Sequence, residues 1–169
     1  MHTKPKNFIN VKDLCIIAAI AAIETVVFTS FSFILYLECI TFTIVLFAMC
    51  FTRKQAVLAS LVFTIINLSI QGVTPWSMMY CLIYPTYSFL IASLRPLLNK
   101  HFLLLVFLCA FFSFLTGQLV QLPFMFISKK ITLLYIFAGL QVSVPQGIVS
   151  GIFCFICFKP VYNIIRKIS

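Results

Sequence analysis

From Leu14 to Phe51 the only charged side chains are Glu24 and Glu38, and the rest of the chain repeats the pattern: long apolar runs divided by brief basic punctuation. Soluble domains are about half apolar and a quarter charged. This chain is 63% hydrophobic and 9% charged, with a mean hydropathy of +1.15. Its 169 residues would suit one globular domain, but they supply too little polar surface to coat one. A bilayer removes the conflict, because a helix satisfies its own backbone in hydrocarbon. The composition therefore predicts an all-α integral membrane protein.

A span needs ~20 apolar residues to cross ~30 Å of hydrocarbon. Six spans fit the sequence on that basis. The first two lie between Asp13 and Phe51, the third from Ala56 to Gln71, and the fourth from Ser77 to Leu94. The fifth runs from Phe102 to Ile127 and the sixth from Leu134 to Phe158. If Glu38 marked the first turn, the second span would be too short to cross, so a turn near Thr29-Ser30-Phe31-Ser32 is expected instead. Pro85, Pro123 and Pro145 fall within spans and are expected to kink them. Short connections make residues 13–158 one bundle, with a segment 1–12 before it and a tail 159–169 after it.

The net charge of +9 could suggest a nucleic-acid partner. Its placement argues otherwise. Lys4, Lys6 and Lys12 precede the first run, Arg53 and Lys54 follow the second, Arg95 and Lys100 separate the fourth from the fifth, and Lys159, Arg166 and Lys167 close the chain. With an even number of spans all of these share one side, and only Lys129 and Lys130 lie on the other. The positive-inside rule makes the crowded side, and both termini, cytoplasmic. No folded basic face remains to read nucleic acid. The first run is too long for a signal peptide and lacks a small-residue cleavage site, so it is expected to stay as a membrane helix.

Asn67, Gln71, Gln118, Gln121, Gln141 and Gln146 all fall toward the span ends that face away from most of the basic residues, as does Glu38; Glu24 lies near the middle of a span. An amide or acid in hydrocarbon is costly and turns inward. Interhelical hydrogen bonding explains any one of them. A layer confined to one half points instead to a cavity for a polar small molecule, open to the outside. Trp76, Tyr80 and Tyr84 follow one another at four-residue spacing on one helix face and could stack on a planar ring; Trp76 also suits an interfacial belt. In the other half, Ala18 and Ala22, and likewise Gly147 and Gly151, have the spacing that lets helices approach closely. Packing within the bundle and docking of another membrane protein are both open readings of it.

Catalysis has little to work with. His2 and His101 flank the apolar runs and do not enter them, and Asp13 sits where an acid complements a helix start. The glycines (72, 117, 139, 147 and 151) form no phosphate loop. Seven cysteines are scattered through apolar segments, and Cys154 and Cys157 lack the further ligands a metal needs. No enzyme activity, cofactor or metal is expected.

Taken together these residues resemble an S component, the substrate-binding membrane subunit of an energy-coupling factor (ECF) transporter. The resemblance covers nearly the whole chain. It rests on six short-looped spans, an alanine-rich first helix with Ala18 and Ala22, and the loop Gln71-Gly72-Val73-Thr74-Pro75-Trp76-Ser77, whose Pro-Trp is similar to a recurrent pattern in that family. It implies a multi-pass protein of a bacterial plasma membrane that captures a vitamin or related micronutrient outside. The subunit then docks on a transmembrane coupling subunit carrying two ATPases and topples to release its cargo inward. Ala18 and Ala22 would be the docking face. The substrate contacts expected from the polar layer and the aromatic face are Glu38, Asn67, Gln71, Trp76, Tyr80, Tyr84, Gln118, Gln121 and Gln141, with Gln146 deeper; Glu38 would select a cationic or amine-bearing group. A self-sufficient carrier or channel is the alternative, and would need polar groups through both halves.

Overall fold

The computed structural model describes residues 9–34, 36, 38–126 and 128–168. His2, Lys4, Lys6, Ser169 and Ile127, the expected end of the fifth span, lie outside them. Among the described residues all regular structure is helical. The helices are α1 (Val11–Phe31), α2 (Cys39–Cys50), α3 (Arg53–Gln71), α4 (Pro75–Leu98), α5 (Phe102–Leu119) and α6 (Lys129–Ile168), with a single 3₁₀ turn at Leu122–Phe126 between the last two. Among the described residues five stretches are long and apolar enough to cross a membrane; α2 is not among them.

Helix α2 organises the rest. Its sequence, CITFTIVLFAMC, is apolar around its whole circumference, and a helix of that kind has no face to offer water. Cys39 through Met49 are all buried, and α2 touches each of the other five helices. Twelve residues rise only ~18 Å, about two-thirds of the hydrocarbon thickness, so α2 is a post inside the bundle. The even division expected for the first two spans is therefore corrected. Helix α1 does end at Phe31, within the expected turn, but the chain resumes as helix only after Glu38. A helix packed among five others need not reach both membrane surfaces, and the requirement that argued against a short second helix does not apply to it.

Local chemistry fixes the other ends. Asn10 and Asp13 close a capping box on α1, as do Thr52 and Gln55 on α3. Thr74 caps α4 with Ser77 returning the bond, and Pro75 occupies the first position, where its missing N–H costs nothing. The Gln55 amide also donates to Asp13 Oδ1 at 2.7 Å, tying the starts of the parallel helices α1 and α3. Arg95, near the end of α4, donates to the carbonyls of Ala48 and Phe51 at the end of α2, where a cation offsets the negative pole of the helix. Lys159 Nζ lies 4.6 Å from the Phe102 ring centroid, joining α6 to the start of α5. These contacts gather Arg53, Arg95 and Lys159 at one end of the bundle.

The last two helices differ from the expected spans. Helix α5 stops at Leu119, and the chain passes into the 3₁₀ turn that contains Pro123. Helix α6 runs unbroken from Lys129 to Ile168, through Pro145 and Pro160. Its 40 residues make a rod of ~60 Å, so the expected sixth span and the basic tail are one element. Gly147 and Gly151 settle its contact with α5. A side chain at Gly147 would come within 3.0 Å of the Ala110 carbonyl, and one at Gly151 within 3.0 Å of Ala110 Cβ.

Candidate ligand-binding site

Because α2 starts late, Glu38, its N-cap residue, lies within the bundle. The side chain makes no bond to the α2 amides and turns to three other helices. Tyr84 of α4 donates to Oε1 at 3.2 Å, while Ser113 of α5 and Gln146 of α6 donate to Oε2 at 2.7 and 2.5 Å. The Gln146 amide also reaches the Ser113 carbonyl at 3.4 Å. Bonds to an ionised acceptor are worth roughly twice those to a neutral one, so a carboxylate is the group this cluster is suited to hold.

Glu38 lines a cavity of about 260 Å³. One wall carries Tyr80 and Tyr84, stacked with centroids 5.2 Å apart and planes 15° from parallel. Phe28 of α1 meets Tyr80 edge-on at 5.7 Å. Thr116, one turn beyond Ser113, and Gln146 complete the polar side. The chain between α1 and α2 forms the remaining wall through Ser32, Ile34 and Tyr36. Tyr36 holds φ at +67°, a left-handed conformation uncommon outside glycine and asparagine. The volume falls below the ~300–1,000 Å³ of pockets for drug-sized ligands, so it suits a small molecule. One carboxylate, aromatic faces and a few hydroxyl and amide groups could bind a small ring bearing an amine.

Of the residues singled out in the sequence, Glu38, Tyr80, Tyr84 and Gln146 come together around this cavity. Others lie elsewhere. Asn67 is buried, with Nδ2 lacking a partner among the described residues. Gln118 donates to Ser143 Oγ at 2.8 Å and, with Gln121, packs near Gly139 between α5 and α6. Gln71 and Gln141 are exposed. Trp76 is partly exposed and leans on Phe124 at 5.3 Å. Ser113, Thr116 and Phe28 belong to the site without having been singled out for it. The three-residue spacing of Ser113 and Thr116, which puts both on one face of α5, was the available signal.

The small-residue pairs divide cleanly. Gly147 and Gly151 are consumed by packing against Ala110, whereas Ala18 and Ala22 are exposed on α1. All seven cysteines are free, and among the described residues no cluster of His, Cys, Asp or Glu could hold a metal. Comparison with family models, with curated proteins and with solved structures gives no match to this chain.

Proposed function

We propose that this chain is the substrate-capture subunit of an ECF-type importer. It would bind a small, amine-bearing micronutrient with a planar ring, at the end of the bundle away from most basic residues, which would face the outside of a bacterial plasma membrane. The observation that carries the reading is the Glu38 carboxylate, held by donors from three helices and lining a cavity of about 260 Å³. An incoming ammonium group would replace one or two of those donors, and the Tyr80–Tyr84 pair would cover the ring. The exposed Ala18 and Ala22 support the other half of the reading, a slim helix face free for a coupling subunit. Two ATPases on that subunit would supply the energy.

One observation favours a self-sufficient carrier. Among the described residues the Glu24 carboxyl, the Ser88 hydroxyl and Asn67 Nδ2 are buried without hydrogen-bond partners, so polar groups continue beyond the cavity. Two measurements separate the readings. Mass spectrometry of the gently purified protein should identify a small basic ligand, and purification from the native membrane should recover a coupling subunit with ATPases. Ala18→Trp should remove those partners and leave the ligand. Uptake into liposomes holding this chain alone would overturn the proposal in favour of the carrier.

A further inference from the structure

Helices α1 and α6 stand apart over one side of α2 and leave a groove of about 560 Å³. Ala19 and Ile23 of α1, Leu46 of α2, and Val161 and Ile165 of α6 give it apolar walls. Thr43 adds a hydroxyl that already donates to the Cys39 carbonyl at 2.8 Å. Among the described residues Lys12 is the only charged one lining it. The lysine sits at one end, where the last turn of α6 also brings Arg166 and Lys167 next to Ile165. Asp13, the neighbouring acid, is occupied by the Gln55 amide and the Asn10 backbone N–H.

We propose that this groove holds an acyl chain of an anionic phospholipid whose phosphate is recognised by Lys12. Its dimensions select the occupant. Along α1 the lining runs from Lys12 to Val27, a rise of ~22 Å, more than the ~15 Å depth of one leaflet. Spread over that length, even the whole open space between the walls, about 1220 Å³, gives a mean cross-section of ~55 Å², below the ~80 Å² of a helix ~10 Å across. A methylene chain, with carbon contacts of ~4 Å, fits; a partner helix does not. The charge selects the headgroup. A basic pocket between helices at the membrane surface attracts anionic lipid, and among the described residues no carboxylate lines this groove to oppose it.

Native mass spectrometry of the full chain, released from nanodiscs of equal phosphatidylglycerol and phosphatidylcholine, tests the site. Wild type should retain the anionic lipid at least about fivefold over the zwitterionic one, a preference of the size one surface lysine supplies. Lys12→Gln should cut the preference about fivefold, while Lys130→Gln, on the first turn of α6, should leave it unchanged. Ala19→Trp, at an exposed position, should displace both lipids. A photoreactive residue at position 19 should gain the mass of a phospholipid. Equal retention of the two lipids, a preference indifferent to Lys12→Gln, or a photoadduct with a second copy of the chain or another protein would overturn the proposal.

Discussion

Glu38 and Glu24 are both carboxylates inside an apolar bundle, and they are treated in opposite ways. Glu38 has donors from Tyr84, Ser113 and Gln146, and a cavity in front of it. Glu24, 1% exposed, has no partner for either oxygen among the described residues and lines neither that cavity nor the apolar groove between α1 and α6. The Asp13–Gln55 bond ties the starts of α1 and α3, and Glu24 and Asn67 are both buried further along those two helices. Asn67 Nδ2 likewise has no partner among the described residues. Burial is common to both acids, and what separates a candidate site from a buried acid is convergence. Donors must arrive from several helices, and space must remain for something else to bind.

The contrast can be broken by substitution. The largest effect is expected from Glu38→Ala, which strands three donors. Each buried unsatisfied group costs about 1–3 kcal/mol, and water entering the cavity lowers the total to roughly 3 kcal/mol, a fall in Tm of about 6–12 °C for a chain of this length. Thermal unfolding in detergent checks it, and an unchanged Tm would mean that the three donors are indifferent to the carboxylate.

Glu24→Leu should act in the reverse direction. It removes an acid that gains nothing from its surroundings, so the same measurement should show a rise of about 1–3 kcal/mol. A fall would show that Glu24 has a partner in the folded protein, and the two acids would then be alike. Tyr84→Phe is the smallest test. It deletes one donor and keeps the ring stacked on Tyr80, and should lower stability by roughly 1 kcal/mol with little loss of the aromatic wall.

Much of this was legible in the sequence, and the remainder has a physical explanation. Apolar run lengths located α3, α4 and the start of α5 closely, since those helices face lipid and must be apolar for a membrane's depth. Glu38, Tyr80 and Tyr84 were visible because a polar or aromatic cluster at one end of apolar runs is conspicuous. The half-length of α2 was not visible, because a central helix obeys contact with its neighbours and not membrane thickness. Ser113 was missed for the same reason. In the sequence it belongs to the apolar half of its own helix, and only the late start of α2 brings Glu38 down to its level. Gln71 and Trp76, by contrast, sit at helix ends, where polarity reflects the surface as readily as a cavity. The equal spacing of Ala18 with Ala22 and of Gly147 with Gly151 gave no hint that one pair faces outward and the other is packed.

The central claim is that Glu38 serves a ligand as well as the fold, and Glu38→Gln isolates it. Glutamine keeps an oxygen for Tyr84 or Ser113 and removes the charge. Calorimetric titration of the ligand identified by mass spectrometry into wild type and Glu38→Gln, both shown to be folded, is the direct measurement. Losing a buried charged partner should weaken binding by roughly 2–5 kcal/mol, about 30-fold or more. Equal affinity in the two proteins would contradict the account.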